Sequence, residues 1–251
     1  MLAHNFKPAK HNIAGWYLSE KLDGTRAFWD GGISRGFRSS NVPYANTVKD
    51  IRYLNDSIAT GLWSRSGKVI HAPDWWLDGL PPCFLDGELF IGRGRFQELR
   101  KVVATLEPGP GWDDVWLRVF DSPRPEVFAQ EREIKIRSEY SFWIKGAHEW
   151  VVRTVLNHSF RRVKSSWKFE EVLLFLEKIL LKRALDGSIE MGNVCLLRQE
   201  KLPLSYLKAM KRIEDRMEEI ADEGGEGVVL RNPVGQWSPV RSHNLLKHKP
   251  W

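Results

Sequence analysis

The chain of 251 residues is 42% hydrophobic and 12% aromatic, which is enough apolar material for one large core, and it carries a formal net charge of +6. Its two cysteines, Cys83 and Cys195, lie far apart, which excludes a disulfide framework and a cysteine zinc site, and no apolar run approaches the roughly 18 residues of a bilayer span. We therefore expect one catalytic domain in the reducing cytoplasm, with no membrane contact and with a polyanionic partner.

Short strands dominate the elements predicted in the first half of the chain. Apolar residues at 16–18 and 27–29 predict two strands that flank a tight loop. The polar, turn-rich stretch 31–60 predicts an insertion or surface loop, and a strand segment containing a turn follows at 61–70. We then predict a buried strand, a short helix and another strand, which are Phe84 to Ile91, Phe96 to Thr105 and Val115 to Phe120.

Two helices with apolar residues at helical spacing follow in the second half. Before them, the stretch 123–168 is interpreted either as an insertion that contacts the polyanionic partner or as a solvated loop, and its basic residues are Arg161, Arg162, Lys164 and Lys168. The helices are Phe169 to Leu185 and roughly Pro203 to Glu223; a turn then enters a strand at Gly224 to Leu230, and a last short strand covers Leu245 to Pro250. The mixture predicts an α+β fold with helices packed on sheets.

The loop Lys21-Leu-Asp-Gly-Thr-Arg26 places a lysine, an acid, a glycine and an arginine between two predicted strands. A lysine serves as a nucleophile when its amine is neutral, a state that nearby cations and partial desolvation favour. Gly24 would let the backbone turn close to a phosphate. Taken alone, the same pattern also fits a plain charged turn.

Further carboxylates and cations stand at spacings that suit nucleotide chemistry. Asp86 and Glu88 are two residues apart on a predicted strand, so they share a face and can meet ribose hydroxyls or a divalent cation. Glu226 lies at the mouth of an apolar strand, where metal coordination is a natural use. Lys247 and Lys249 have the same spacing and can approach one phosphate, although a frayed basic terminus is the alternative for that segment alone.

Together the motifs resemble those of the covalent nucleotidyltransferases, the family of DNA ligases, RNA ligases and mRNA capping enzymes. Six motifs occur in that family's order: Lys21-Leu-Asp-Gly-Thr-Arg, Ser64-Arg-Ser-Gly, Leu85-Asp-Gly-Glu-Leu, Val119-Phe-Asp, Gly225-Glu-Gly-Val-Val-Leu and Leu246-Lys-His-Lys. Residues 63–94 look most like the small ATP-dependent DNA ligases of bacteria and their phages. The resemblance implies an ATP-grasp-like nucleotidyltransferase (adenylation) domain over residues 1–251, built of antiparallel sheets flanked by helices.

The resemblance also implies a role for each matching residue. Lys21 would attack the α-phosphorus of ATP and carry AMP, which then passes to the 5′-phosphate of a nick before the 3′-hydroxyl seals the strand, with Mg²⁺ or Mn²⁺ offsetting charge. The other implied roles are adenine stacking by Phe120, ribose binding by Glu88, metal binding by Glu226 with Glu88, α-phosphate contacts by Lys247 and Lys249, and ribose or nick-phosphate contacts by Arg26 and Arg65. Arg241 is a weaker phosphate candidate, because a surface ion pair suits it equally.

The sequence departs from that family at its carboxyl end. Ligases normally continue past the Lys-x-Lys motif into an OB-fold that clamps nucleic acid, and this sequence stops at Trp251. We therefore expect ATP binding with weak self-adenylation and little nick sealing. ATP is expected rather than NAD, because only twenty residues precede Lys21 and a four-cysteine zinc site is missing.

Nicked duplex DNA is the expected partner, and a monomer in the cytoplasm of a bacterial or phage-infected cell is the expected state. Three alternatives stay open at this point. Two are enzymes, an RNA ligase and a capping guanylyltransferase. The third is a basic nucleic-acid-binding module without catalysis.

Overall fold

The structure is a computed structural model that describes residues 1–42, 44–46, 57–123, 167–185, 192–238 and 240–249. The basic stretch predicted as an insertion or solvated loop, 123–168, lies outside the described residues except at its two ends. Within the described part of 31–60, a short 3₁₀-helix at Ser39–Asn41 and a bridge between Arg38 and Ile58 organise a segment that is otherwise turns, in line with the surface-loop prediction.

Ten strands within these ranges form two five-stranded sheets. In chain order they are β1 (Leu2–Asn5), β2 (Tyr17–Glu20), β3 (Thr25–Asp30), β4 (Leu62–Ser64), β5 (Phe84–Phe90), β6 (Trp116–Asp121), β7 (Val194–Leu196), β8 (Glu200–Lys201), β9 (Val228–Arg231) and β10 (Arg241–His248). Sheet A has the order β1-β10-β9-β2-β8, and sheet B has the order β4-β3-β5-β6-β7. The strands on either side of the lysine loop therefore belong to different sheets.

Most strand pairs are antiparallel, as predicted, but one edge pair in each sheet is parallel. These are β1 with β10 in sheet A and β6 with β7 in sheet B. Parallel neighbours need a long crossover connection. A helix that lies between β6 and β7 in the chain, Phe169–Leu185, packs against both strands.

Four helices pack around the sheets in the described ranges: α1 (Asp74–Asp78), α2 (Phe96–Val103), α3 (Phe169–Leu185) and α4 (Tyr206–Asp222). The three longer ones confirm the predicted helices, whereas α1 was not predicted. Ser205 has extended backbone angles at the start of α4, which is why this helix begins three residues after Pro203. No helix within the described ranges has the length and apolar character needed to cross a lipid bilayer.

Strand alternation separates a core face from a polar face in sheet A. Leu18, Leu230 and Leu246 lie side by side across β2, β9 and β10, and all three are buried beneath α4. The neighbouring row consists of Ser19, Val229 and Lys247 and therefore points to the opposite side of the sheet. Lys21 follows Ser19 by two residues, so the strand geometry directs it to that same polar side.

The same alternation organises sheet B. Ala27, Gly87 and Val119 form a row on the core side, where a larger apolar cluster includes Trp29, Trp76 and Trp112. The next row consists of Arg26, Glu88 and Arg118 and points away from that core. The polar sides of the two sheets meet through the buried ion pair between Arg231 of β9 and Asp121 of β6.

Candidate active site

Lys21 is the first residue after β2, at the end of β2 that lies next to sheet B. Its backbone N–H donates to the carbonyl of Gly227 at 2.8 Å, which continues the β2–β9 ladder one residue beyond the strand. Its ammonium group donates to Oε2 of Glu226 and forms an ion pair with it. Two motifs that are 205 residues apart in the sequence thus meet at one point.

Glu226 holds two lysines at once. Its Oε2 accepts from Lys21, and its Oε1 accepts from the ammonium group of Lys249, one residue after the end of β10. Partial burial by itself would raise the pKa of Glu226, but the hydrogen bonds and charges of the two lysines outweigh it and lower the pKa below its usual value. Glu226 is therefore a carboxylate at neutral pH, and it links the two predicted cations.

Lys247 joins this group through the register of sheet A. It pairs with Val229 of β9, in the same row as Ser19, so its side chain rises from the polar side of the sheet near the lysine loop. Lys249 lies two residues farther in the chain and has the same orientation by alternation. The prediction that both lysines approach one region is consistent with this register.

Glu88 lies opposite, on sheet B, packed against the lysine loop. The position that a Cβ would take at Gly24 is 2.7 Å from Cγ of Glu88 and 2.3 Å from the carbonyl oxygen of Leu89. Burial raises the pKa of Glu88 to about 8; the charges of Asp86 and Glu226 add to the rise, and those of Arg26 and Lys21 oppose it. Gly24 is thus required by a close approach between the lysine loop and the strand that carries Glu88.

Arg26 is held by its own sheet rather than left open to solvent. Its Nε donates to Oδ1 of Asp86 at 2.8 Å, Nη2 donates to Oδ2, and Nη1 donates to the carbonyl of Met1. The guanidinium carbon lies 5.3 Å from the ring centroid of Phe120, the predicted adenine-stacking residue. Burial opposes the charge of Asp86, but Arg26 and its hydrogen bonds prevail and lower the pKa of that carboxyl.

Three residues with contacts beside the candidate site were not singled out by the sequence analysis. Asp121 and Arg231 form a pair at 2.9 Å with side chains only 6% and 4% exposed. The indole of Trp237 donates to Asp86 at 2.7 Å. Asp121 belongs to the Val-Phe-Asp motif, but Arg231 and Trp237 lie outside the six motifs, and no spacing in the sequence indicates which carboxylate pairs with which arginine.

The remaining predicted arginines lie outside this group. Arg65 is exposed and follows Ser64, which pairs with Ala27 next to Arg26. Arg241, at the start of β10, donates to the carbonyl of Ala3 at 2.6 Å, so the structure places it against β1. Within the described residues, no group of three or more histidine, cysteine, aspartate or glutamate residues is arranged to hold a metal ion.

Comparison with known proteins identifies one curated relative and a set of structural neighbours. The DNA ligase of Haemophilus influenzae is 24% identical over 249 residues, which are 99% of this chain and 62% of that protein. The chain thus spans less than two thirds of the length of this relative. No protein-family model matches the chain.

Solved structures of ATP-dependent DNA ligases share the fold. A structure from a structure–function study of Lig E DNA ligases has a TM-score of 0.61 at 23% identity and covers 100% of this chain and 68% of its own. The Chlorella virus DNA ligase–adenylate (TM-score 0.59, 14% identity) and the bacteriophage T7 ligase in complex with ATP (0.58, 12%) cover 99% of this chain and 67% and 68% of theirs. The predicted α+β nucleotidyltransferase fold and the resemblance to small DNA ligases are confirmed.

Proposed function

We propose that the chain is the catalytic adenylation domain of an ATP-dependent DNA ligase and that Lys21 carries AMP covalently. The observation that carries this proposal is the convergence of Lys21, Glu226 and Lys249 at the polar side of sheet A. The ordered motifs, the curated DNA ligase relative and the ligase structures with the same fold support the assignment.

In the first step, the nitrogen of Lys21 attacks the α-phosphorus of ATP. The new bond joins Nζ to phosphorus, the bond from phosphorus to the bridging oxygen breaks so that pyrophosphate leaves, and the neutral amine releases one of its two protons to solvent. The Lys21 ammonium now donates to Glu226, so this ion pair has to open before the neutral amine attacks. Lys247 and Lys249 would then offset the charge that develops on the phosphate oxygens.

The nucleoside would lie between the two sheets. The ring of Phe120, on the polar side of β6, offers an apolar surface for adenine, and Glu88 on β5 is directed to the same side. Glu88 is protonated below about pH 8 in the ligand-free chain, so it can donate a hydrogen bond to a ribose hydroxyl. Arg26 borders the same ring, between Phe120 and Asp86.

Glu226 and Glu88 have the chemistry to hold Mg²⁺ or Mn²⁺. Hard divalent cations prefer carboxylate oxygens, and the charge of Glu226 contributes to the raised pKa of Glu88. A cation bound between the two residues would offset that charge, and Glu88 would then bind as a carboxylate. A bound metal ion would offset the negative charge of the triphosphate. The lysines would bind the remaining phosphate oxygens.

The second and third steps act on DNA. AMP passes from Lys21 to the 5′-phosphate of a nick, and the 3′-hydroxyl then displaces AMP to form the phosphodiester. Exposed Arg65 next to the Arg26 strand suits a phosphate of the nick, because the planar guanidinium binds two phosphate oxygens. We further propose that the protein acts as a monomer in the cytoplasm of a bacterial or phage-infected cell.

Mass spectrometry of the purified chain after incubation with ATP and Mg²⁺ tests the first step. We expect a mass gain of one AMP that is absent in Lys21→Ala and retained in Lys208→Ala, an exposed lysine on α4. No gain under any condition would overturn the proposal in favour of a non-catalytic binding module. A gain from GTP instead of ATP would indicate a capping enzyme, and transfer of AMP to nicked RNA but not to nicked DNA would indicate an RNA ligase.

A further inference from the structure

Two segments of the chain that contain no acidic residue are brought together in space. Residues 1–19 and 232–251 lack aspartate and glutamate altogether. They supply β1 and β10, which pair along the edge of sheet A. The cationic and titratable residues of this edge, here called the β1/β10 surface, are His4, Lys7, Lys10, His11, Arg241 and His243.

The side chains of the β1/β10 surface form one continuous group. The rings of His4 and His243 stack with centroids 3.9 Å apart, and the ring of His11 lies 6.1 Å from His243. The backbone N–H of Lys7 donates to Nδ1 of His11 at 3.0 Å. Desolvation, followed by the charges of neighbouring histidines, lysines and Arg241, lowers the pKa of both His4 and His11, as expected in a positive local field.

This surface and the proposed catalytic lysines lie on opposite faces of β10, at the same edge of sheet A. His4 pairs with Leu246, which is buried beneath α4, whereas Lys247 pairs with Asn5. Because neighbouring residues of a strand point to opposite faces, the stacked histidines lie on the α4 side of the sheet and Lys247 lies on the polar side. The edge of sheet A therefore carries cationic groups on both faces.

We propose that the β1/β10 surface binds the phosphate backbone of duplex DNA beside the nick. The proposal takes its partner from the proposed ligase function, but the binding itself is independent of catalysis. The favoured ligand chemistry is a run of phosphates, because the two segments that form this edge contain no acidic residue and a phosphate backbone presents only negative charge to it.

The test is the salt dependence of binding to a nicked duplex, measured by fluorescence anisotropy. Lys7→Ala/Lys10→Ala removes two charges from the surface, and Lys208→Ala/Lys211→Ala removes two exposed charges from α4 as a matched control. Each phosphate contact contributes about 0.9 to the slope of log affinity against log salt, so the surface variant should lose a slope of about 2 and the control none. Equal slopes for the two variants would overturn the proposal.

Self-adenylation of the same samples separates this proposal from the proposed function. If the surface variant still gains AMP but its DNA affinity depends less steeply on salt, both the proposed function and the proposed DNA-binding surface hold. If the unmodified chain gains no AMP while the slope still differs, the ligase assignment fails and the surface stands. Reduced binding to a long acidic polypeptide, with DNA binding unchanged, would replace DNA by a protein partner.

An independent observation concerns a turn between β5 and α2. Gly92 and Gly94 have φ angles of 121° and 72°, a conformation that side chains disfavour, and Arg93 lies between them. Nε and Nη2 of Arg93 bind the two oxygens of Glu20 at 2.8 and 2.9 Å. Nη2 also lies 2.8 Å from Oε2 of Glu223.

Both carboxylates belong to the backbone segments that present catalytic groups. Glu20 ends β2 and directly precedes Lys21, and Glu223 follows α4 three residues before Glu226. A Cβ at Gly225 would lie 3.2 Å from Oε1 of Glu20, so Glu20 also contacts the turn that leads to Glu226. One guanidinium from sheet B therefore fixes both segments of sheet A at the point where Lys21 and Glu226 meet.

We infer that Arg93 is a positioning residue for lysine adenylation, acting through Glu20 and Glu223. The guanidinium of Arg93 binds Glu20 and Glu223 and not Lys21 or Glu226 themselves. Its removal should therefore slow AMP transfer at saturating ATP, while the concentration of ATP for half-maximal rate changes little. This inference also rests on the proposed function.

Single-turnover adenylation of Arg93→Ala and Arg95→Ala tests it. Arg95 follows in the same turn and carries the same charge, but it pairs with Glu98 and Asp114 on the exposed side of α2. Misplacement of reacting groups by about 1 Å costs on the order of 10²-fold in rate, and we expect a loss of that order in Arg93→Ala and no comparable loss in Arg95→Ala. Equal rates in the two variants would overturn the inference.

The conservative variant Arg93→Lys distinguishes positioning from simple folding. Lysine keeps the charge but not the planar fork, so the adenylation rate of Arg93→Lys should fall between those of wild type and Arg93→Ala. The midpoint of thermal unfolding of Arg93→Lys should equal that of Arg95→Ala. A loss of rate in Arg93→Lys that is explained by a lowered unfolding midpoint would contradict a positioning role. Absence of AMP on the wild-type chain would instead count against the proposed function.

Discussion

Gly24 illustrates how a single residue is constrained by tertiary structure. The motif suggested that a glycine here lets the backbone approach a phosphate. The structure adds a second reason, since a Cβ at this position would lie 2.3 Å from the carbonyl oxygen of Leu89 and 2.7 Å from Cγ of Glu88. The carbonyl belongs to β5 and has little freedom to move, so the lysine loop and sheet B fit together only without a side chain.

We predict that Gly24→Ala destabilises the protein by about 1 to 3 kcal/mol, the usual cost of overpacking a tight contact. Urea unfolding measures the change. Gly109→Ala is the control, because nothing lies within 4 Å of a Cβ at Gly109 and its φ is negative. A loss of stability in Gly109→Ala equal to that in Gly24→Ala would contradict the steric explanation.

The charge state of Glu88 provides a prediction on pH. Its pKa is raised to about 8 by burial and by neighbouring carboxylates, so the folded chain keeps the proton that the unfolded chain loses near pH 4.5. A raised folded-state pKa contributes stability below the unfolded value, and this contribution is lost as pH rises toward the folded value. Relative to Glu88→Gln, ligand-free wild type should lose stability between about pH 5 and pH 8 and change little above that.

Denaturant unfolding of both proteins at pH 5, 6.5, 8 and 9 measures this difference. Glu98→Gln is a suitable control, because Glu98 is an exposed carboxyl whose pKa is lowered by its hydrogen bond to Arg95. Its stability contribution should therefore be lost only at acid pH. A constant difference between wild type and Glu88→Gln across the range would show that Glu88 ionises normally.

At the scale of single residues, the sequence identified the motif positions but not their partners. Lys21, Glu226 and Lys249 were predicted from motif chemistry, and the structure brings them together. Arg93 and Arg231 were not singled out, because an ion pair leaves no trace in spacing when its members belong to different elements. Such pairs depend on tertiary packing, which neither periodicity nor turn signals encode.

At the scale of elements, long periodic segments were predicted well and short edge strands were not. α3 occupies the predicted residues 169–185, and β5 differs from its prediction by one residue. By contrast, β1, β7 and β8 have two to four residues each and owe their extended form to a neighbouring strand. The parallel pairing of β1 with β10 joins opposite ends of the chain, a contact that no local pattern indicates.

The link between the two sheets gives a prediction at this scale. Asp121 and Arg231 are nearly fully buried and bind each other across β6 and β9. Removing one charge of a buried pair leaves the other uncompensated and costs about 3 to 5 kcal/mol. We therefore predict a loss of that size in Asp121→Asn, measured by urea unfolding.

Arg216→Ala serves as the comparison for this pair. Arg216 binds Glu219 one turn along α4, with the carboxylate side chain 46% exposed, and surface pairs contribute only about 0 to 1 kcal/mol. The double variant Asp121→Leu/Arg231→Met removes both charges and should lose less than Asp121→Asn. If the double variant were the less stable one, the buried pair would be stabilising in itself.

At the scale of the whole molecule, the proposed nucleotide site is shared between two sheets that have separate cores. Lys21, Glu226 and Lys249 belong to sheet A and its connections, whereas Glu88 and Phe120 belong to sheet B. The larger core lies behind sheet B, and the smaller one lies between sheet A and α4. A nucleotide that touches residues of both sheets would therefore add a further connection to those that already join them, such as the ion pair of Asp121 and Arg231 and the close approach of Gly24 to β5.

This arrangement predicts how ATP changes local stability. A ligand that binds only the folded state at 100 times its dissociation constant adds about 2.7 kcal/mol of stability. Because the proposed site spans the sheets, amide hydrogen exchange should slow in β2 and β9 of sheet A and in β5 and β6 of sheet B when ATP is added. Lys21→Ala, which cannot form the covalent bond, should show the same pattern of protection, because ATP contacts both sheets before AMP is transferred to the lysine. Protection confined to one sheet would mean that adenine and phosphates are held on one side only, and Phe120 and Glu88 would then lose their proposed roles.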